Sequence, residues 1–198
     1  MHPDATYADL DEPRALATAD RIGFAQIITV VNGSPALAYA PAVRTDARTF
    51  CFHLARANRV APHLAGTRAV LSFLGPHGYI TPAWYHDRGG SVPTWNYIAV
   101  ELEGTVRLVP EPDLLQHIDA LAQRHEPQMS GTPWVRSRVD PDRIARMVRG
   151  IAGFALAVDQ VRATRKLGQD RSARDRAGVV LGLEAAGNPG LAAEMRHP

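Results

Sequence analysis

Four short stretches of this 198-residue chain hold the residue types that could do chemistry. His53-Leu54-Ala55-Arg56-Ala57-Asn58 offers an imidazole, a guanidinium and an amide. Gly75-Pro76-His77-Gly78-Tyr79-Ile80-Thr81-Pro82-Ala83-Trp84-Tyr85 and Val92-Pro93-Thr94-Trp95-Asn96-Tyr97 add two Trp and three Tyr. Such residues are retained in loops mainly where they touch something, and a flat aromatic cluster suits a flat ligand. The expectation is a site for a planar cofactor, walled by Tyr79, Trp84, Tyr85, Trp95 and Tyr97, with Thr94 and Asn96 presenting a hydroxyl and an amide to a substrate. Arg56 and Asn58 could hold a carboxylate, because an Arg fork meets it with two bonds. The fourth stretch ends in Lys166, beside Arg162 and Arg165. Neighbouring cations or burial lower a lysine's pKa, which makes Lys166 a candidate for proton transfer.

The plainer readings of these residues are packing and capping. Aromatics dominate cores and subunit interfaces, Asn caps turns, and cation runs usually face water. The absences narrow the classes. There is one cysteine, Cys51, so no internal disulfide can form. There is no zinc spacing, no phosphate-cradling glycine loop, no nucleophile elbow and no basic recognition helix. A net charge of +2 writes no strong pull toward nucleic acid or membrane into the chain. No apolar run approaches the ~18 residues of a membrane span, and the N-terminus lacks the basic and apolar regions of a signal peptide. A cytoplasmic protein is expected.

The elements that must position these residues follow from periodicity. Pro13 to Arg21 reads as a helix, Phe24 to Val31 as a strand, Asn32-Gly33 as a hairpin turn, and Pro35 to Val43 as the return strand with an edge or bulge at Pro41. Thr49 to Leu54 alternates, with Phe50, Phe52 and Leu54 on one face and Thr49, Cys51 and His53 on the other. Val60 to Gly66 reads as a short helix, Ala69 to Leu74 and Asn96 to Val109 as strands. Leu114, Leu115, Ile118 and Leu121 then repeat at helical spacing over Pro112 to Arg124. Asp140-Pro141 opens a helix to about Arg149, and Ile151 to Val161 returns to strand before a basic loop, Arg162 to Lys166. Asp175 to Glu184 is a closing helix. The expected architecture is a β-rich α+β fold, an antiparallel barrel in one domain, residues 1–198, with a helical insertion at 111–149 and a loose tail at 187–198.

Read together, the motifs resemble the PaiB-like family, usually labelled FMN-binding negative transcriptional regulators. The likeness covers residues 24 to 183. It rests on the three stretches above together with Gly153-Phe154, Lys166-Leu167 with Gln169, Asp175-Arg176 and Gly178-Val179. It implies a flavin-reductase-like split β-barrel that dimerises and holds its cofactor at the subunit interface. The same family includes haem-dependent piperazate synthases, which close N5-hydroxy-L-ornithine to L-piperazic acid by forming an N–N bond. This chain departs from the family at Tyr39-Ala40-Pro41, where His-Leu-Pro is common, and at Asn58-Arg59-Val60-Ala61, where Asn-Pro and an aromatic residue are usual. At Arg165-Lys166-Leu167-Gly168-Gln169-Asp170 a Ser and an Asn suited to a flavin phosphate have become Gly168 and Asp170. A carboxylate at 170 repels phosphate.

Two readings follow. In the first, the protein is a piperazate synthase-like enzyme with haem b. His53 is the axial ligand, with His63 and His77 as rivals, since a neutral imidazole suits haem iron. Lys166 transfers the proton, Thr94 orients the hydroxylamine, and Arg56 takes the carboxylate of an amino-acid substrate. The second is an FMN-binding regulator or sensor without its own helix-turn-helix, and a flavin-dependent reductase is a further variant. Arg56, Asn58, Tyr85, Trp95, Asn96, Tyr97 and Gln169 are the expected cofactor contacts. A homodimer with no direct nucleic-acid contact is expected under each reading.

Overall fold

The computed structural model describes every residue except Met1, Arg88, Gly90 and Ser130. Along the chain run α1 (Glu12–Ile22), β1 (Phe24–Val31), β2 (Ser34–Arg44), β3 (Thr49–Ala55), β4 (Arg68–Ile80), β5 (Thr94–Leu108), α2 (Glu111–His125), α3 (Pro141–Val148), β6 (Ile151–Lys166), α4 (Ala173–Ala185) and α5 (Pro189–Arg196). These residues cluster into two compact units.

One unit, residues 19–72 and 102–161, contains part of every strand. The strands follow the order β1-β2-β3-β6-β5-β4 and close into a barrel. The Asn32-Gly33 turn opens it as expected, with φ of 51° and 79°, the left-handed pair that a tight hairpin requires. Pro41 lies in β2 without a bulge: Ser34 to Pro41 pair with β1, and Ala42 to Arg44 then pair with β3. Pro41 faces Phe24 next to the pair in which Ala42 N–H donates to the Gly23 carbonyl at 2.8 Å, so it stands at a non-hydrogen-bonded position where the ladder with β1 asks no N–H of it. The alternation read in β3 holds. Phe50, Phe52 and Leu54 are buried in the barrel, where Phe52 stacks on its cross-strand partner Phe154 at 5.5 Å. Gly104 of β5 lies so close to β6 that a Cβ there would sit 1.9 Å from the Ala157 carbonyl oxygen, so only glycine fits. The 111–149 segment forms α2 and α3, the latter capped as expected by Asp140, whose carboxylate accepts from the Arg143 N–H at 2.8 Å.

The other unit, residues 1–18, 73–101 and 162–198, has its own core. Ile80, Tyr85, Ile98, Leu167, Leu183 and Leu191 are among its buried members. Here the expected loose tail is corrected. Residues 189–196 form helix α5, because Asn188 caps it by accepting from Leu191 N–H and Leu191 and Met195, one turn apart, are both buried. The expected loop at 75–79 is strand: β4 runs on to Ile80, and its buried positions switch phase across Gly75-Pro76. That switch is why the alternation seemed to stop at Leu74. The basic loop at 162–166 is also strand. It pairs with the N-terminal segment through an Ala8–Thr164 bridge and an Asp9 N–H bond to the Ala163 carbonyl, a partner that local sequence does not reveal. Trp84 docks on α4 where Gly178 and Gly182 leave a notch. A Cβ at Gly182 would fall 2.3 Å from the indole.

Candidate functional site

Five of the sequence-predicted residues line two cavities, one in each unit: Lys166, Thr94, Tyr85 and Asn96 in one and His53 in the other. In the unit that carries α4 and α5, the last residue of β6 meets the first of β5. Lys166 Nζ donates to Thr94 Oγ1 at 2.6 Å. The same ammonium stands 5.6 Å from the centre of the Tyr7 ring. Tyr7 is fixed there by a one-turn 3₁₀ helix, Ala5–Tyr7, capped by Asp4. Burial raises the Tyr7 phenol pKa, and the charge and hydrogen bond of Asp170 raise it further. Arg171 lies over the buried Tyr85 ring at 4.9 Å and pairs with Asp170 at 3.4 Å. Gly168, with φ of +79°, makes the turn that carries Asp170 and Arg171 back toward Lys166. The enclosed volume is about 110 Å³. Three cations, Lys166, Arg171 and Arg176, face one carboxylate across two aromatic rings, an arrangement suited to a small or partly inserted anion.

Lys166, Thr94, Tyr85 and Asn96 therefore share one cavity, although Asn96 is committed by its amide to Met195 Sδ at 3.4 Å. Gln169 lies just outside the lining and ties the turn, accepting from Leu167 N–H at 2.8 Å and donating to the Arg165 carbonyl. Trp95 is half exposed and donates to His77 Nδ1 at 3.2 Å, so this rival histidine is already engaged. Tyr97 is half-buried in β5 outside the lining. The strand expected from Asn96 begins two residues earlier, at Thr94, so Trp95 is a strand residue too, and alternation sends neighbours to opposite faces, so Trp95 and Tyr97 diverge from Asn96.

His53, Arg56 and Asn58 belong to the barrel unit. Arg56 is exposed and donates to the Arg149 carbonyl at 3.0 Å, and Asn58 accepts from Val60 N–H at 2.9 Å. Both serve the turn after β3. His63 is exposed on a 3₁₀ turn. His53 points off the barrel toward α2, where its Nδ1 lies 3.1 Å from His117 Nε2, the rings edge to face. Burial lowers both imidazoles. His117 falls to about 4, first through desolvation and then through the neighbouring His53, and its Nδ1 is buried without a partner. His53 also lines an apolar cavity of about 280 Å³.

Sequence reading missed Tyr7, which stands alone in a polar N-terminus, and His117. The latter had a usable signal: Leu114, His117 and Leu121 follow one helical stripe, so a histidine occupies a core-facing position. Among the described residues no group of three or more His, Cys, Asp or Glu could hold a metal ion, and no helix is long and apolar enough to cross a membrane.

A closed six-stranded antiparallel barrel with added helices defines the fold class of flavin-binding split-barrel proteins. Residues 1–160 match the family described as "Putative FMN-binding domain", and the chain belongs to that family. It is 28% identical over 170 residues to the Bacillus subtilis protease synthase and sporulation protein PAI 2, covering 84% of this chain and 81% of that one. The PaiB-like resemblance is thereby borne out. Among solved structures, the FAD and haem binding protein of Mycobacterium smegmatis superposes with a TM-score of 0.63 at 19% identity, over 86% of this chain and 79% of its own. The flavocytochrome Anf3 of Azotobacter vinelandii gives 0.62 at 17% identity, over 89% and 78%. At such identities these likenesses show the fold.

Proposed function

We propose that this protein is an FMN-binding member of the PaiB-like family, a sensor or regulator that works through partners and not through a DNA-binding helix of its own. The observation that carries this is the cavity beside Lys166. It gathers three cations and two aromatic rings, yet encloses about 110 Å³, well below the ~300–1,000 Å³ of sites that take a whole drug-sized ligand. That is the character of half a site. A second copy completes it, and the exposed apolar face of the β1-β2 hairpin, with Phe24, Ile28, Val30, Leu37 and Tyr39, is the kind of surface that pairs. Asp170, whose charge argued against a phosphate, is offset by Arg171 and by its bond to Tyr7, leaving Lys166 and Arg176 to meet an anion. FMN, when bound, supplies one- or two-electron chemistry. The chain's own residues bind and orient it: Tyr85 as wall, Lys166 held by Thr94, Arg171 held over Tyr85. Purified protein should carry flavin absorption and no Soret band, and release FMN on denaturation. Protein that binds no FMN as a dimer overturns the reading.

A haem-dependent piperazate synthase-like enzyme is the second reading, favoured by the Lys166–Thr94 bond and by His53. A neutral His53, its Nδ1 tied to His117 and its Nε2 uncommitted, has the donor chemistry of an axial ligand. However, Lys166 and Thr94 line a different cavity from His53. A Soret band lost in His53→Ala, with cyclisation of N5-hydroxy-L-ornithine, would select this reading.

A further inference from the structure

The cavity between α2, α3 and the start of β6 is largely apolar. Leu115 and Ile118 of α2, Ile144, Met147 and Val148 of α3, and Ile151 of β6 supply its apolar lining. Only two of its residues carry ionisable groups. One, Arg136, is already neutralised, its Nε and Nη2 held by both Asp119 oxygens at 2.7–3.2 Å. The other is His53, whose Nδ1 is taken by His117 and whose Nε2 has no partner among the described residues. Behind it His117 is 3% exposed and has one nitrogen, Nδ1, left unpaired.

A buried histidine with an unpaired nitrogen costs about 1–3 kcal/mol, and a protein that needed only packing would place an apolar side chain there. The pair makes physical sense as a holder. His117 Nε2 fixes the His53 ring, and either tautomer of the pair leaves His53 Nε2 with one defined role, acceptor or donor. No free charge faces the cavity, so a charged ligand head would be desolvated without compensation.

We propose that this cavity is a binding site for a small neutral molecule with an apolar body and a single hydrogen-bonding head, the head bonded to His53 Nε2. The proposal does not rest on the flavin reading, because every residue it uses lies outside the Lys166 cavity.

The test titrates the haem-free protein with indole as a donor head, cyclohexanone as an acceptor head and benzoate as a charged control. Imidazole ¹⁵N shifts of His53 and His117 provide the readout. Saturable shifts with indole or cyclohexanone are expected at millimolar concentration or below, with benzoate at least tenfold weaker. Ile144→Phe, which fills the cavity, should abolish them. Met147→Trp, at the exposed rim, should do the same should Ile144→Phe fail to fold. FMN binding measured on the same variants should be unchanged, which keeps failure here distinct from failure of the flavin reading. Absence of saturation, benzoate binding as tightly, persistence of the shifts in both filled variants, or displacement of the probes by haem would each overturn the proposal. Which of indole and cyclohexanone binds tighter reports the tautomer.

Discussion

The two cavities solve opposite problems with similar materials. The Lys166 cavity gathers charge, and each of its cations is held by a specific partner: Lys166 by Thr94 and the Tyr7 face, Arg171 by Tyr85 and Asp170, and Arg176 by the Arg171 carbonyl. The His53 cavity has ionisable residues too, but no free charge faces it: Arg136 stays charged and is paired with Asp119, and burial holds down the pKa of His53 and of His117 behind it. The lesson is that residue type alone does not set the chemistry of a site. A cation kept partly wet and oriented attracts anions, whereas an imidazole taken out of water becomes a neutral hydrogen-bonding point.

Four changes would break or sharpen this contrast. The largest effect is expected from Gly182→Ala. Its Cβ would lie 2.3 Å from the Trp84 indole, so either the ring or α4 must move. A loss of about 3 kcal/mol by urea unfolding is expected, with weakened FMN binding because Trp84 packs against the cluster that holds Tyr85. An unchanged midpoint would show that the notch is dispensable.

Next is pH. His117 has a folded pKa of about 4 against an ordinary 6.5. As pH falls below 6.5 the unfolded chain takes up this proton first, so stability declines from about pH 6.5 downward and levels below pH 4. The loss should amount to about 3 kcal/mol, since each pKa unit is worth ~1.4 kcal/mol. Burial depresses His53 as well and adds loss in the same direction. His117→Phe should flatten the profile in this window, whereas an equally steep curve would place the titration elsewhere.

Third, Lys166→Met with Arg171→Met should weaken FMN binding by roughly 10–100-fold, while leaving the indole or cyclohexanone response of His53 unaltered. Equal loss at both cavities would erase the contrast. The smallest effect is expected from Asn188→Ala, which removes the cap on α5 and the bond from its amide to the His77 carbonyl at 2.9 Å. About 1 kcal/mol should be lost in thermal unfolding, with the low-pH behaviour of His117 unchanged.

Much of the barrel was legible because its signals are local. The Asn32-Gly33 turn, the Phe50/Phe52/Leu54 alternation and the Asp140-Pro141 cap each fix a few dihedrals through short-range sterics or one hydrogen bond. The misreadings share another cause. Residues 75–80 and 162–166 are strand because of where their pairing partners lie, and α5 is ordered because Leu191 and Met195 find an apolar core to enter. Candidate residues were named with fair success for type, since Lys166, Thr94, Tyr85 and Asn96 do converge, and with less success for grouping. His53, Arg56 and Asn58 are adjacent in sequence, yet a strand end and a turn send His53 to α2 and the other two to backbone carbonyl and amide groups.

By itself, then, the sequence determined the barrel class, the family and the inventory of reactive side chains, because these depend on periodicity, turn chemistry and ordered motifs. Only the tertiary structure decided which of those side chains share a cavity and which are charged there. It set Tyr7 against Lys166 across more than 150 positions of chain and closed His117 over His53. The physical reason is that proximity and dielectric are long-range properties: a chain segment carries its donors and acceptors with it, but not its neighbours or its exclusion from water.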